Sequence, residues 1–552
     1  MKYPSIKAVL ISIFLNLMFI SMIFAQENLT SLKIQEGIDQ IWTTGQLDIG
    51  SANIASKLIL PKLYERNDFQ LIWQNLQNVT DLLNELKHIE EDGLNPEDYH
   101  LPTLLIQKLH IEQSESPEPS LLADYDILLT DSLIRLISHL YFGKVDPENL
   151  HPNWRMTRRI NDTDTIEEIE KTLRSNQLAN ALKKIRPRLK SYNPMRAALK
   201  KYRDIQNAGG WAPIPEGPIL KVGMRDERIP KLRNRLAATG HFQGTHTTSD
   251  HFDKELEKAL VQFQKTHRLV ADGIVGKNTY AALNVPVSRK IDQLRVNLER
   301  CRWSCRKRPE EFMIVDIAGF RMYHYQNFEI KWTSKVQVGK SFRKTPVFNS
   351  QIKYIVFNPT WTLPPTILKE DMLPKIKKDP DFLKKMKFEV IDWNGRIVDP
   401  SSVNWSAISV DNVPYTFRQS PGPHNALGRI KFIFPNKHFI YLHDSPKRSF
   451  YALKDRAFSS GCIRVEKNME LAEILLNDSE KWNQQNIRTV IDTLKTEKVN
   501  LPKPMPISLF YWTVSYDEKG NIIFKKDIYD RDGEVLNGLN QEFMMWQRRF
   551  LD

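Results

Sequence analysis

"RIKFIFPNKHFIYLHD", Arg429 to Asp444, alternates apolar and polar side chains on both sides of a Pro435-Asn436-Lys437 centre. Period-two runs of about six residues flanking such a turn read as a β-hairpin. The same period recurs at Ile330, Trp332, Val336 and Val338, and again at Ile352, Tyr354 and Val356. Together these runs predict a mostly β domain over residues 308–497. It is interrupted by the Lys-rich "LPPTILKEDMLPKIKKDPDFLKKMKFEVIDWNG". That stretch predicts a helical insertion over about 363–420, a segment suited to cover a site as a lid. Farther on, "PISLFYWTVSYD" and "NIIFKKDIY" bracket a turn at Lys519-Gly520. They predict a C-terminal β-hairpin extension, 498–552, packed on this β domain or on the helical scaffold upstream.

Upstream the period changes. "TDLLNELKHIEEDGL" spaces Leu82, Leu83, Leu86 and Ile89 for one helical face and stops at Gly93. "ADYDILLTDSLIRLISHLYFGKV" repeats the pattern with Ile127, Leu128, Leu133, Ile134, Ile137 and Leu140. Residues 26–210 therefore read as a helical scaffold without chemistry of their own. "NAGGWAPIPEGPIL", Asn207 to Leu220, is rich in Gly and Pro and reads as a linker. Over 216–288, Ile229, Leu232 and Leu236 form one stripe, and Leu256, Ala259, Leu260 and Phe263 a second. A third helix opens near Gly276, after a turn at Asp272-Gly273. The fold class that results is multidomain α+β.

At 552 residues the chain needs several cores. With 41% hydrophobic and 26% charged residues it is globular in composition. The net charge of +13 suits an anionic partner. Neither a zinc-finger spacing nor a Walker glycine loop is present. The start narrows the class further: Lys2 and Lys7 precede the apolar run Ala8–Ala25. Residues 1–25 read as a secretory signal peptide, with an uncleaved anchor helix as the alternative. An exported protein leaves little room for a nucleic-acid partner.

The chain has three cysteines. Cys301 and Cys305 lie four residues apart in "NLERCRWSCRKR", either bridged with strain or as two thiols. Cys462 stands unpaired in "FSSGCIRVE", Phe458 to Glu466. A thiol becomes a strong nucleophile only as a thiolate, with an ordinary pKa of about 8.5. His443, at the end of the second hairpin strand, is the candidate base. Gly461 lets the backbone approach a substrate closely, so amides around Ser460, Gly461 and Cys462 are candidate oxyanion donors. Arg464 is a candidate carboxylate partner or a plain surface arginine. "IRVEKNMELAEILLN" reads as a short strand leading into a helix capped by Asn468. A structural cysteine with an unrelated histidine is the bland alternative.

"LRNRLAATGHF" and "ALVQFQKTHRLVADGIVGKNTYAALN" resemble the three-helix peptidoglycan-binding domain. "YLHDSP" followed by "FSSGCIRV" is similar to the signature of the YkuD-type L,D-transpeptidases, cysteine enzymes that cross-link bacterial peptidoglycan. "FNPTWTLPP" and "PGPHNALGRIKFIFPN" match as well. "GLNPEDYHL" and "LFYWTVSYDEKG" resemble the large scaffolded members of that family.

The resemblance implies that Cys462 is the nucleophile and His443 the general base, oriented by the backbone carbonyl of Asp444. It implies that Tyr441 and Trp361 line the substrate groove, with Asn425 and Gly428 in a structural loop. His424 is the weaker choice of base, being on a loop. One departure is Ser460, where the wider family has His. The implied reaction is 3→3 cross-linking of tetrapeptide stems through an acyl-enzyme, with release of D-alanine. No metal or cofactor is required, and carbapenem-type β-lactams are expected to acylate the same sulfur. The implied location is the periplasm, soluble or anchored at the inner membrane. Alternatives that stay open are an L,D-carboxypeptidase on the same stems, a non-catalytic wall-binding protein, and an exported cysteine protease of another kind.

Overall fold

The computed structural model describes residues 6–150, 162–174, 177–187, 189–304, 309–379, 381–409 and 411–542, those before residue 25 by backbone alone. Cys305, and with it the expected Cys301–Cys305 bridge, lies outside the described residues. So do the side chains of the Ala8–Ala25 run up to residue 24, whose backbone forms the first half of helix Ile6–Thr44. Among the described residues no helix is long and apolar enough to cross a membrane. The protein is multidomain α+β, with helical parts ahead of a mostly β domain.

The two amphipathic segments form helices Leu76–Lys87 and Pro119–Phe142. Asn75 caps the first, its side chain accepting from the amides of Gln77 and Asn78. The run ends at Gly93, whose φ of 78° a side chain would resist. Leu82, Leu86, Leu128 and Leu133 are wholly buried. The Gly/Pro-rich stretch is pinned: Asn284 brackets the backbone of Ile214 with two hydrogen bonds of 2.8 Å. Helices Ile229–Ala238, Lys254–Thr266 and Lys277–Leu283 then enclose a core of their own around Leu232, Leu260 and Phe263.

The β domain is one sheet built from β1 (Glu311–Asp316), β2 (Arg321–Gln326), β3 (Glu329–Gly339), β4 (Phe348–Phe357), β5 (Ile430–Ile433), β6 (Leu442–His443), β7 (Ala457–Ser459), β8 (Ile463–Val465) and β9 (Glu497–Phe510). The strand order is β7-β3-β8-β6-β5-β4-β9-β1-β2, and β2 also pairs with β3, so the sheet closes on itself. The decisive hairpin is β5–β6, with Phe432 opposite Leu442 and Lys431 opposite His443. Its connection is held by Asn436, which accepts from the amides of His438 and Ile440.

Two expectations change here. Strand β9, assigned by sequence to the C-terminal extension, lies between β4 and β1 and belongs to the main sheet. The hairpin beyond it is only Val514–Tyr516 with Ile522–Phe524. It shares a small core with helices Tyr192–Asn207 and Val287–Ser304.

The insertion is not purely helical. Besides helices Leu373–Lys378 and Phe382–Lys385 it carries a four-stranded sheet of Trp361–Thr362, Phe388–Ile391, Ile397–Val398 and Thr416–Gln419. Phe388 and Val390 alternate inward in the second of these strands, a short period-two signal hidden in lysine-rich sequence. The insertion has its own apolar core around Ile376, Leu383 and Phe417.

Candidate active site

Strands β6 and β8 run parallel, with Leu442 opposite Ile463 and His443 opposite Arg464. Directly opposed residues point to the same face of a sheet, and residues two apart share a face. Tyr441, His443, Cys462 and Arg464 therefore converge on one face. Leu442, Ile463 and Val465 are wholly buried on the other. Neighbouring strands complete the cluster: Lys431 faces His443 from β5, and Gln337 faces Arg464 from β3.

Cys462 follows a backbone turn at Gly461, whose φ of 115° excludes ordinary side chains. Thr345 Oγ1 donates to the Gly461 carbonyl at 2.8 Å. The Gly461 amide donates to Ser459 Oγ at 3.1 Å, so it leaves the set of oxyanion donors that sequence suggested. Ser460 is not a free hydroxyl; its Oγ accepts from Arg343 at 2.9 Å. Cys462 is half-buried. Its thiol donates weakly to the Phe439 carbonyl at 3.8 Å. It also interacts with the Tyr441 hydroxyl. No hydrogen bond joins it to His443 in this state, and hydrogen bonds of this kind often tighten only with substrate bound.

Burial pushes the Cys462 thiol above its ordinary value, against Tyr441, Lys431 and Arg464, which favour the thiolate. Burial and then the Arg464 cation hold His443 down to about 3. The carbonyls of Asp444 and Leu427 pull weakly the other way, although buried Nδ1 has no partner in good hydrogen-bond geometry. The resting pair is thus a neutral thiol beside a neutral imidazole. Lys431 Nζ lies 4.0 Å over the Tyr441 ring, and burial lowers its pKa. The Tyr441 and His443 rings meet edge-on at 5.7 Å. Arg464 donates to Gln337 at 3.1 Å, while its Nε is buried without an acceptor.

Asp444 braces the second layer. Its carboxylate accepts from Asn468 at 2.7 Å, from the Arg429 amide at 3.0 Å and from Arg448 at 3.1 Å. Asn468 is therefore not a helix cap but the tie between helix Asn468–Leu476 and this carboxylate. Gly428 passes so close that a Cβ there would lie 2.4 Å from Asp444 Oδ2. Asn425 is a loop brace, donating to the Pro359 carbonyl at 2.9 Å and accepting from the Leu427 amide at 2.8 Å.

Trp361 interacts with the Tyr441 hydroxyl and packs on Phe388, so it joins the groove to the insertion core. His424 folds over Gly422 beside Lys387, with no contact to Cys462. Lys431, Gln337 and Arg343 were missed in sequence. Among the described residues no cluster of His, Cys, Asp and Glu is arranged to hold a metal. A separate cleft of about 1310 Å³ lies among Lys277, Lys290, Phe320, Lys454 and Phe524, and none of the residues around Cys462 lines it.

Residues 310–491 match the family model described as the L,D-transpeptidase catalytic domain, YkuD. Residues 59–199 match a scaffold domain, and 225–283 a "Putative peptidoglycan binding domain". A curated Haemophilus influenzae protein described as "Putative L,D-transpeptidase" is 33% identical over 314 residues, covering 55% of this chain and 62% of that protein. The match thus spans less than two thirds of the relative's length.

Solved L,D-transpeptidases from Xylanimonas cellulosilytica and Stackebrandtia nassauensis are each 12% identical and each cover 54% of this chain. They are covered to 100% and 97% of their own lengths, with TM-scores of 0.17 and 0.20. At those scores the overlays carry no argument about individual residues. Residues 310–491 are thus similar to the YkuD L,D-transpeptidase catalytic domain, in one chain with segments similar to a scaffold domain and a peptidoglycan-binding domain.

Proposed function

We propose that this protein forms 3→3 cross-links between peptidoglycan stem peptides through a thioester on Cys462, releasing D-alanine. The observation that supports this best is the parallel register of β6 and β8, which sets thiol, imidazole and guanidinium on one face. The reaction starts as the thiol turns from the Phe439 carbonyl toward His443. The neutral imidazole takes the proton as sulfur bonds to the carbonyl carbon of the third stem residue. The oxyanion is met by the amides of Ser460 and Cys462, which carry no other hydrogen bond among the described residues, and by the Tyr441 hydroxyl. The imidazolium then protonates the departing D-alanine nitrogen and the carbon–nitrogen bond breaks. The side-chain amine of a second stem attacks the thioester, loses its proton to His443, and expels the thiolate.

Arg464 and Lys431 stabilise the anionic sulfur at both of its appearances. The insertion, joined to the groove through Trp361, excludes water so that amine outcompetes hydrolysis. The peptidoglycan-binding domain holds the polymer near the site and raises its local concentration. The protein works on the wall, outside the inner membrane, and carbapenem-type β-lactams acylate the same sulfur. Incubation with tetrapeptide muropeptides followed by mass spectrometry tests the reading. Cross-linked dimers and free alanine are expected. Tripeptides alone would show a carboxypeptidase instead, and an unchanged substrate would overturn the assignment.

A further inference from the structure

One arginine ties the nucleophile turn to the insertion. Arg343 sits in the loop after β3. Its Nη1 donates to Ser460 Oγ at 2.9 Å and to Asp371 Oδ2, and its Nη2 donates to Glu370 Oε2 at 2.5 Å. Its side chain is 10% exposed and its Nε is buried without an acceptor. The loop that carries it is fixed: Thr345 Oγ1 donates to the Gly461 carbonyl at 2.8 Å and accepts from the Gly339 amide at 2.9 Å. The loop is thus anchored to the turn that precedes Cys462, independently of the insertion.

The two carboxylates are placed differently. The Glu370 and Asp371 side chains are 53% and 37% exposed. Both stand in a single widened π turn, Leu368–Met372, of a kind found at functional positions. The turn belongs to a subdomain whose apolar core is separate from that of the main sheet. A subdomain with its own core can shift as a unit without breaking its packing. When it lifts, Arg343 loses both counter-charges and its N–H donors are open to another carboxylate. A fork of N–H donors at fixed position is the geometry that selects carboxylates.

We propose that Arg343 is a carboxylate-binding subsite next to Cys462, filled by Glu370 and Asp371 in the empty enzyme and taken over by a substrate carboxylate. The inference rests on the reading that stem peptides are the substrate. Two carboxylates of a stem qualify, the terminal one and the one on the diamino-acid side branch. Exchange at Arg343 couples substrate entry to movement of the insertion: each arriving carboxylate displaces a resident one. It also gives Ser460 a role, since its hydroxyl holds Arg343 at the turn.

The test uses the full chain carrying Cys462→Ala, titrated calorimetrically with a soluble tetrapeptide stem and with forms amidated at one carboxylate or the other. Glu370→Gln with Asp371→Asn should tighten binding of the unmodified peptide by about tenfold, by removing the internal competitors. Arg343→Lys and Arg343→Met should weaken it by about tenfold, yet leave unchanged the amidated form that lacks the bound carboxylate, which identifies that carboxylate. Unaltered affinity in the Glu370/Asp371 double variant would overturn the proposal. So would an equal loss on all three peptides in the Arg343 variants, or no binding of any of them. Turnover by the unmodified chain is read separately: Arg343-dependent binding without alanine release would overturn the reaction and leave the subsite standing.

Discussion

His443 and Arg464 are direct partners in the parallel pairing of β6 and β8, which places a guanidinium on the same face as the imidazole. Burial and that cation together hold the ring down to about 3, so the proposed base is a neutral imidazole across the neutral range. The rate of Cys462 acylation by a carbapenem should therefore show no inflection between pH 5 and about 7.5, where an unperturbed imidazole would titrate. The His443 ring signals in an NMR titration should stay fixed over the same range. An acid limb centred near 6.5 would mean that the ring is solvated in solution.

Removing the partner should act on both groups. Arg464 favours the Cys462 thiolate and disfavours the His443 imidazolium. In Arg464→Met the thiol climbs and the imidazole moves back toward its ordinary value. Acylation at pH 7 should fall by up to about tenfold, since the climb of the thiol is partly offset by the more basic ring, and an acid limb should enter the profile. Arg464→Lys keeps the charge but loses the fixed contact to Gln337, and should recover part of the rate. An unchanged profile in Arg464→Met would place the guanidinium's influence elsewhere.

The division of labour predicts unequal losses. Cys462→Ala should give no covalent adduct in intact mass spectra after carbapenem exposure. His443→Ala should retain adduct formation slowed by a factor of about 10² to 10⁴, the span of a general-base contribution. Cys301 is buried at 2% exposure, and an adduct on Cys462→Ala would show that Cys301 or Cys305 reacts instead.

Gly461 offers a backbone test. Its φ of 115° lies where a Cβ is strained, and that Cβ would come within 3.2 Å of Ile440. Gly461→Ala should lose stability by about 1–3 kcal/mol. It should also lose most of its acylation rate, because the turn sets the direction of Cys462. A full rate with an unchanged melting temperature would show that the turn relaxes freely.

Much of this site was legible because strand alternation is local. The period-two run at Arg429–Asp444 gave the hairpin and set His443 at a strand end. The Gly-Cys pair gave the proposed nucleophile. What stayed hidden came from pairings between distant segments. Lys431 and Gln337 read as ordinary strand polar residues until β5 and β3 set them opposite His443 and Arg464. Arg343, in "GKSFRKTP", has the composition of a solvated turn, and only the folded chain brings it to Ser460. Strand β9 was misassigned because its apolar end, Ile507–Phe510, runs straight into the segment before the Lys519-Gly520 turn and reads as an arm of that hairpin, while Pro502, Pro504 and Pro506 interrupt the strand pattern ahead of it. The sheet accommodates this run with a register shift between Asn500 and Met505.

The buried histidines predict how the whole chain responds to acid. His443 is held at about 3 and His241 at about 4, while His139 and His267 lie well below the ordinary value, in each case chiefly through burial. In the unfolded chain all four titrate near 6.5. Between that value and their folded values the unfolded state binds more protons, so stability falls as pH falls. Each histidine contributes up to ~2 kcal/mol of loss between pH 6.5 and 5. Asp126 works the other way: burial raises it to about 6, so the folded state takes up its proton first and recovers part of the loss below that pH. The net expectation is a melting temperature several degrees lower at pH 5 than at pH 7.5. His267→Phe, which keeps the stack on Phe263 and Phe524, should reduce that difference. A melting temperature independent of pH over this range would mean that the buried rings take up protons without unfolding.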